Sequence, residues 1–475
     1  MVMGDITTGT DVVVIGGGPG GYVAAIRAAQ RGLATTLVEK DHYGGACLNH
    51  GCIPSKAFIT AADVADEAAN ATAMGVHADP EVDMGELAAW KDGVVDRLTG
   101  GVEQLCEANG VDLIEGTAAF EDEHTIRIAH GGEGQGMETV AFEQAIVATG
   151  SRPVEIPGFT FDDERVWSSR DALAAETVPD DLVVVGAGYI GMELSTTFAK
   201  LGADVTVVET LDDVLPAYEE DVSSVVRRRA SDLGVDFAFG EGASGWEETA
   251  DGRLTVRTET ADGDESTYEA DRVLVAVGRE PVTDTLELDA IDLAPDENGF
   301  LRTDDRARTD LEHVFAVGDV AGEPMLAHKA SAEGIVAAEV AAGENAAFDA
   351  RAIPAAVFTD PEIATVGLTE AEAADAGFDP LVGEMPLRAS GRALTMDETD
   401  GFVRIVAEAD AGFVLGAQIV APEASELIAE VALAVEMGAR LEDLAGTIHT
   451  HPTLSEAVME AAENALGEAI HTLNE

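Results

Sequence analysis

The stretch DVVVIGGGPGGYVAAIRAA, from Asp11 to Ala29, decides the fold of the chain around it. The run Asp11–Ile15 has the near-continuous apolar pattern of a buried parallel strand. It leads directly into Gly-x-Gly-x-x-Gly, formed by Gly16, Gly18 and Gly21, and then into a helical pattern. Glycines in this arrangement let the backbone turn sharply and approach a pyrophosphate at the positive end of a helix. The stretch therefore predicts a dinucleotide-binding strand–helix–strand unit.

An acidic residue closes this unit. Thr35–Glu39 has the pattern of the second strand, and Glu39 follows Gly21 by 18 residues. A carboxylate at this place binds ribose hydroxyls in dinucleotide-binding folds. Strand, glycines, helix and terminal acid together make a specific signal.

The same unit occurs a second time in the chain. Asp181–Val185 leads into Gly186, Gly188 and Gly191, and Glu209 again follows the last glycine by 18 residues. Two units in register predict two dinucleotide sites. In the second, Glu209 favours a free ribose 2′-hydroxyl, and residues 210–214 contain no arginine for a 2′-phosphate, so the sequence favours NAD over NADP.

Cys47 and Cys52 form the only close cysteine pair, with four residues between them. Thiols this close can form a small disulfide ring and open it again, and a ring so short stabilises a fold weakly. Pro54 and the apolar run that follows predict a helix starting here; its positive end and Lys56 favour thiol ionisation. A structural disulfide and a zinc site that adds His42 and His50 remain alternatives to a redox centre.

The composition is strongly acidic. Among 475 residues, 91 are acidic and 27 basic, giving a net charge of −64, and the only lysines are Lys40, Lys56, Lys91, Lys200 and Lys329. With 46% hydrophobic residues, the chain resembles proteins of extremely halophilic cytoplasm and not a disordered acidic protein. Nucleic acid is a poor partner for such a surface.

No apolar run is long enough to span a membrane, and the start MVMGDITTGT lacks a signal peptide's pattern, so we expect a cytoplasmic protein.

Between and after the two units the pattern varies. Residues 60–110 appear as an Ala-rich helical region that includes Cys106, interpreted as an inert core thiol, and residues 111–146 are typical of short strands with a Gly-rich turn at 131–136. Val314–Asp319 predicts a strand that ends in an acid, with a helix from about Lys329.

From about residue 350 the chain predicts an α+β unit without a glycine fingerprint. Strands are expected within 353–366, 401–406 and 414–420, and helices at about 425–438 and 455–469. Before the last helix, Thr453-Leu454-Ser455-Glu456 has the pattern of a capped helix start. A functional interpretation makes His451 a general base and Glu456 its orienting carboxylate.

These segments together resemble the flavin disulfide reductases, and most closely the dihydrolipoyl dehydrogenases among them. The resemblance runs from Asp11 to the last helix, and it is carried by the segments Cys47–Lys56 and His451–Glu456. It implies FAD on the first glycine unit and NAD on the second. The catalytic positions it implies are Cys47, Cys52, Lys56, Glu193, His451 and Glu456. The cofactor-binding positions it implies are Gly16, Gly18, Gly21, Glu39, Lys40, Lys56, Thr149, Gly150, Ser151, Asp319, Ala327, Gly186, Gly188, Gly191, Glu209 and Gly278.

The implied reaction oxidises a dihydrolipoyl group through a Cys47–Cys52 redox disulfide and FAD, and passes a hydride to NAD⁺. The family is homodimeric, so His451 and Glu456 would serve the other subunit's disulfide, and Lys56 would pair with Glu193 near the flavin. Expected partners are lipoyl groups of acyltransferases in 2-oxoacid dehydrogenase complexes or of other lipoylated proteins, or free lipoamide. No metal is expected.

Two positions depart from the family pattern: His50 replaces a common aliphatic residue and Val282 a common asparagine.

Three alternatives compete with the implied activity. A glutathione-type reductase using NADPH is disfavoured by Glu209, and a mercuric or coenzyme A disulfide reductase by the paired cysteines with His451. An idle flavoprotein scaffold is disfavoured by the intact catalytic set.

The expected fold class is α/β, with two Rossmann-like dinucleotide-binding domains, for FAD and NAD, and an α+β C-terminal dimerisation domain. The expected division is residues 1–152 for the first part of the FAD-binding domain, 153–280 for the NAD-binding domain, 281–349 for a second FAD-binding or central part, and 350–475 for dimerisation.

Overall fold

The computed structural model describes residues 7–131, 136–250 and 252–474. The strands are β1 (Thr7–Ile15), β2 (Thr35–Glu39), β3 (Val111–Glu115), β4 (Thr117–Asp122), β5 (Thr125–Ala129), β6 (Met137–Val147), β7 (Ser151–Pro153), β8 (Val166–Trp167), β9 (Asp181–Val185), β10 (Asp204–Glu209), β11 (Asp236–Phe239), β12 (Glu241–Glu248), β13 (Leu254–Thr260), β14 (Glu265–Ala270), β15 (Arg272–Val275), β16 (Arg279–Pro281), β17 (Val314–Ala316), β18 (Ala355–Val357), β19 (Glu362–Gly367), β20 (Pro380–Pro386), β21 (Phe402–Glu408) and β22 (Val414–Ala421). The helices are α1 (Pro19–Gln30), α2 (Gly45–His50), α3 (Cys52–Asn70), α4 (Met84–Ala108), α5 (Ser169–Leu173), α6 (Tyr189–Lys200), α7 (Glu220–Asp232), α8 (Ala327–Ala341), α9 (Glu370–Asp375), α10 (Gly391–Met396), α11 (Ala424–Met437), α12 (Leu441–Ala445) and α13 (Glu456–Ala465).

The first sheet carries the opening glycine fingerprint. Its strand order is β3-β2-β1-β6-β5-β4, and β17 pairs with β6. β1 is parallel to both β2 and β6, and β17 is parallel to β6, so the chain returns to this sheet after the second unit. The apolar run of β1 is fully buried at Val12, Val13 and Val14, as expected for a strand covered on both faces. The carboxyl ends of these parallel strands therefore meet at one edge, where α1 begins.

The second glycine unit forms a separate parallel sheet. Its order is β11-β10-β9-β15-β8, and β9 leads into α6 through the second fingerprint. An antiparallel sheet, β12-β13-β14, is inserted in this unit. Beside it, β7 and β16 pair with Ser151 opposite Pro281, which joins the two stretches that connect the units.

The C-terminal unit is an antiparallel sheet covered by helices. Its order is β18-β19-β22-β21-β20, with α11 and α13 packed against it. The buried face of this sheet meets the apolar faces of both helices, for example Ile419 with Ile428 and Val458 in one core. The expected α+β character of this region is confirmed.

Most expected elements occur where the patterns place them, with two differences of detail. The last helix, expected at about 455–469, covers Glu456–Ala465, and the expected helical region 60–110 is interrupted. Residues 60–110 are helical in α3 and α4, but residues 75–83 between them have no helix or strand. Asp83 ends this break by accepting a hydrogen bond from the Glu86 amide as the cap of α4. The Gly-rich turn expected at 131–136 lies largely outside the described residues. No helix within the described ranges has the length and apolarity needed to cross a bilayer.

Candidate thiol and dinucleotide site

A cleft of about 440 Å³ opens at the edge where the first sheet's parallel strands end. It extends from the first fingerprint past the thiol segment to the start of α6. The sequence-predicted positions that line it are Gly16, Gly18, Glu39, Lys40, Cys47, Cys52, Lys56, Thr149, Gly150, Ser151, Glu193, Asp319 and Ala327. The fold thus brings residues from five separate stretches of sequence into one elongated space.

The glycines of the first fingerprint have two separable functions. A Cβ on Gly21 would lie 1.8 Å from the Gly16 carbonyl oxygen, so this glycine permits α1 to pack closely on β1. Among the described residues, a Cβ on Gly18 would meet only the Gly45 Cα, at 3.9 Å, and Gly18 lines the cleft. The backbone at Gly18 is therefore open to a ligand, at the amino terminus of a 12-residue helix. This cradle fits the pyrophosphate of a dinucleotide such as FAD.

Glu39 ends β2 as a buried carboxylate with defined partners. Its Oε2 accepts a hydrogen bond from the Gly17 amide and its Oε1 accepts one from the Asp41 amide, at 2.5 and 2.8 Å. The side chain also lines the cleft, so these bonds hold its acceptor oxygens beside the fingerprint. That is the placement required for binding ribose hydroxyls.

The thiol segment is attached directly to the fingerprint. The Gly44 amide donates to the Gly17 carbonyl, at 2.8 Å, and a Cβ on Gly45 would lie 2.6 Å from the Gly18 Cα. α2 begins at this contact and carries Cys47, and α3 begins at Cys52 itself. The short α2 therefore sets both thiols next to the nucleotide cradle.

The two thiols have unequal acidity. A hydrogen bond from the Cys47 thiol, together with Lys56, outweighs burial and lowers the pKa of Cys52 to about 7. The same hydrogen bond and burial raise the pKa of Cys47. Cys52 is also the first residue of the 19-residue α3, where the helix dipole favours a thiolate. The arrangement supports a thiolate at Cys52 and a protonated thiol at Cys47.

Lys56 and Glu193 join α3 to α6. The Lys56 Nζ lies 2.9 Å from the Glu193 Oε2, as the resemblance implies. Glu193 is 5% exposed, and its Oε1 accepts a hydrogen bond from the Phe358 amide at 2.9 Å. The buried carboxylate is thus paired with a cation and satisfied at both oxygens.

A second polar group closes the cleft beside β7. The Ser151 hydroxyl donates to the Asp319 Oδ2 at 2.5 Å, and Arg279 donates to the Ser151 hydroxyl and carbonyl oxygens, both at 2.8 Å. Thr149 donates to the Val282 carbonyl at 2.6 Å. Val282 makes this contact through its backbone carbonyl, and its side chain is buried.

The second fingerprint repeats the geometry of the first. Its glycines do not line this cleft, although Tyr189 and Ile190 between Gly188 and Gly191 do. A Cβ on Gly191 would lie 2.0 Å from the Gly186 carbonyl oxygen, and one on Gly188 would have no neighbour within 4 Å in the described chain. Glu209 accepts hydrogen bonds from the Ala187 and Leu211 amides, at 2.8 and 3.0 Å. A second, separate nucleotide cradle therefore exists at the start of α6.

An exposed His451 and a half-buried Glu456 form a pair apart from the thiols of the same chain. The His451 Nδ1 and the Glu456 Oε1 lie 2.9 Å apart, and the other Glu456 oxygen accepts from the Thr453 amide at 2.8 Å. Burial would raise the pKa of Glu456, but these two partners outweigh it and hold the pKa below its usual value. Glu456 is the first residue of α13, whose N-cap Ser455 makes no side-chain cap bond. The Glu456 carboxylate holds the turn before the helix and contacts His451, whose side chain is 79% exposed and does not line the cleft.

Several residues near the cleft lack a local sequence signal. Tyr189 and Arg279 line it from stretches far apart in the chain, and Phe358 reaches it indirectly, through its amide bond to Glu193. His50 also lines it, with a pKa lowered by burial and by Arg170. Gly21 and Gly278 do not line it. Of these residues, Arg279 could have been found from the sequence. It directly follows Gly278 in a segment that resembles Ala148–Ser151. Among the described residues, no group of three or more His, Cys, Asp or Glu side chains is arranged to hold a metal ion.

Comparisons with known proteins agree with this geometry. Residues 10–334 match the profile of the pyridine nucleotide-disulphide oxidoreductase family, and residues 353–462 match its dimerisation domain. The chain is 71% identical to dihydrolipoyl dehydrogenase of Haloferax volcanii over 475 residues, covering 100% of both chains. It is 70% identical to dihydrolipoyl dehydrogenase 2 of Haloarcula marismortui over 99% of this chain and 100% of that one. Both organisms are halophilic archaea. The crystal structure of LpdA from Mycobacterium tuberculosis superimposes with a TM-score of 0.89 at 30% identity, covering 96% of this chain and 99% of that one.

Proposed function

Because the chain belongs to the pyridine nucleotide-disulphide oxidoreductase family, we propose that it is an NAD-dependent dihydrolipoyl dehydrogenase in which Cys47 and Cys52 form the redox disulfide. The observation that carries this proposal is the thiol pair itself. Cys47 on α2 and Cys52 at the start of α3 line one cleft against a nucleotide cradle, and their pKa values are shifted in opposite directions. FAD, when bound, supplies the two-electron redox chemistry between these thiols and NAD⁺.

The acidity difference assigns the two thiols different tasks. A dihydrolipoyl thiolate attacks the Cys47 sulfur of the oxidised pair, the disulfide bond breaks, and Cys52 leaves as a thiolate. The lower pKa of Cys52 makes it the better leaving group. The second lipoyl sulfur then attacks the mixed disulfide and releases Cys47. The lipoyl group has lost two electrons and two protons, and the enzyme's pair has been reduced.

His451 and Glu456 supply the proton transfer. Since the Glu456 Oε1 engages the His451 Nδ1, the Nε2 is the atom left to accept the proton from the dihydrolipoyl thiol. Within one chain this imidazole is exposed and does not line the thiol cleft, which supports its use by the other subunit of a homodimer. The family's dimerisation domain at residues 353–462 supports the same assembly.

The remaining assignments follow from the same proposal. Glu39 and the cradle at Gly18 bind FAD, and Glu209 and the cradle at Gly188 bind NAD. The domain division is residues 1–152 and 281–349 for FAD, 153–280 for NAD, and 350–475 for dimerisation. The enzyme is cytoplasmic and acts on lipoyl groups of acyltransferases or of other lipoylated proteins, or on free lipoamide.

An anaerobic titration of the purified protein in concentrated salt tests the activity. Dihydrolipoamide should produce a long-wavelength band between the Cys52 thiolate and the flavin, and NAD⁺ should then discharge it. A flavin spectrum that ignores dihydrolipoamide but responds to NADPH would instead indicate a glutathione-type reductase.

A further inference from the structure

The Lys56–Glu193 pair has a third member, contributed by the C-terminal unit. Phe358 follows β18, and its ring centroid lies 4.1 Å from the Lys56 Nζ. Its amide donates to the Glu193 oxygen that Lys56 does not use, at 2.9 Å. One residue therefore contacts both members of an ion pair that otherwise joins α3 to α6.

The loop that presents Phe358 is held by contacts independent of the ring. The Thr359 hydroxyl is buried and donates to the Pro361 carbonyl at 2.9 Å. Asp360 pairs with Lys200 at 2.7 Å and with Arg229 at 2.9 Å, and the Lys200 side chain is 5% exposed. A change of the ring alone therefore leaves the backbone of this loop, and its amide bond to Glu193, in place.

The position of the Lys56 ammonium matters because Cys52 lies on the same helix. The charged groups that act on Cys52 are Lys56, which lowers its pKa, and Glu193, which raises it. Cys47 reaches it from α2 by a hydrogen bond, and Tyr189 lies near it at the start of α6. If the Lys56 ammonium were free to move away from Cys52, toward Glu193 or toward solvent, it would lower the pKa of Cys52 less, while the raising effect of Glu193 would remain.

We propose that Phe358 is a positioning residue, which holds the Lys56 ammonium beside Glu193 through its ring face while its amide fixes Glu193, and so sets the field that Lys56 exerts on Cys52. The contact is a cation–π interaction, which restrains an ammonium at the ring centre. The C-terminal unit thereby completes the thiol site of its own chain, in addition to any part in dimerisation. This inference rests on the proposed role of Cys52.

A plain packing role for the ring predicts a different outcome. Packing alone would lower the free energy of unfolding when the ring is removed, and would leave the Cys52 thiolate unchanged. Positioning predicts that loss of the ring face shifts the pH at which the thiolate forms, whatever happens to stability. The pH profile of the thiolate therefore separates the two.

The test uses the FAD-bound protein in concentrated salt, with Phe358→Leu, Phe358→Met and Phe358→Tyr. Leucine and methionine remove the ring face, methionine also retains much of the volume, and tyrosine keeps the ring. Phe378→Leu is the matched control, because this phenylalanine belongs to the same C-terminal unit and its side chain is 43% exposed. After reduction with dithiothreitol, the long-wavelength absorbance and the rate of Cys52 alkylation by iodoacetamide, read by peptide mass, are recorded against pH.

The unchanged protein should form the thiolate with a midpoint near pH 7. Phe358→Leu and Phe358→Met should raise that midpoint by about half a pH unit, roughly a threefold change in the acid dissociation constant. Phe358→Tyr and Phe378→Leu should keep it. An unchanged midpoint in both ring-removal variants would overturn the proposal, as would an equal shift in the Phe378→Leu control.

The two proposals fail in distinguishable ways. If dihydrolipoamide and NAD⁺ have no effect on the flavin while the alkylation profile of Cys52 still depends on the Phe358 ring, the activity is wrong and the positioning role stands. If turnover is normal and the pH profile of Cys52 alkylation is the same with and without the Phe358 ring, the proposed activity stands and the positioning role of Phe358 is wrong.

Discussion

Alanine at Gly188 and alanine at Gly191 should damage this protein in opposite ways, although the two residues lie in the same fingerprint. Gly188 precedes α6 with φ −70° and ψ −178°, a conformation that alanine adopts freely, and no described atom outside its neighbours lies within 4 Å of the added Cβ. Alanine there should change the free energy of unfolding by less than about 1 kcal/mol. It places a methyl group where the pyrophosphate of NAD would approach, so NAD⁺ should bind at least about tenfold more weakly, or about 1.4 kcal/mol.

Gly191 should show the reverse behaviour. The added Cβ would lie 2.0 Å from the Gly186 carbonyl oxygen and 3.6 Å from a methyl group of Val184. Normal contact needs about 1 Å more, so α6 must move away from β9; overpacking of this kind costs about 1–3 kcal/mol, against about 1 kcal/mol gained from alanine's helix propensity. The contact is with a backbone oxygen that cannot rotate away, so the cost should lie in the upper part of that range, at about 2–3 kcal/mol, and the net destabilisation should be about 1–2 kcal/mol.

The assay measures both quantities on both variants in concentrated salt. Denaturant unfolding gives the free energy of unfolding, and the NAD⁺ concentration dependence of flavin reoxidation gives the affinity. Reduction of the flavin by dihydrolipoamide is the internal control, since the first cradle is unaltered. Normal NAD⁺ affinity in Gly188→Ala, or normal stability in Gly191→Ala, would refute the division of tasks between the glycines.

Three further predictions concern the thiols, the base and the charge. Cys52→Ser should abolish dihydrolipoamide turnover while FAD stays bound, which absorbance and turnover measure together; retained turnover would remove the disulfide from the mechanism. His451→Gln should lower turnover roughly 10²-fold or more through loss of the general base, and steady-state rates near normal would make this residue structural. At low salt the net charge of −64 is unscreened, so activity and the circular dichroism of the fold should be lost on dialysis and kept in concentrated salt; full stability in dilute buffer would contradict the halophilic interpretation.

The local units of this protein were predictable because their signals are short in range. The strand before Gly16, the glycine spacing and the acid at Glu39 all lie within one continuous stretch, and backbone sterics alone require glycine where α1 packs on β1. The start of α3 at Cys52 followed from the same kind of local pattern. The segment before α13 left a capping and an orienting interpretation of Glu456 open. Its carboxylate accepts from the Thr453 amide and contacts the His451 ring, while α13 has no side-chain cap bond at Ser455, so the orienting role stays a prediction.

The side chains that surround the thiols could not be predicted from local sequence patterns. Glu193 lies 137 residues from its partner Lys56, and nothing in the residues around Phe358 marks it as a contact of either. The pair with Glu193 was expected only because the chain resembles a family that has it. Phe358 was not expected at all, because an aromatic residue after a strand is consistent with an ordinary core position.

Chain order and backbone geometry thus determine the two nucleotide cradles and the thiol pair, since each depends on residues close in sequence. The acidity of Cys52 and the neighbours of Lys56 depend on where three separate units meet, because electrostatic and cation–π interactions act over a few ångströms in space and are independent of separation along the chain. Only the packing of α3, α6 and the loop after β18 brings those groups within that range.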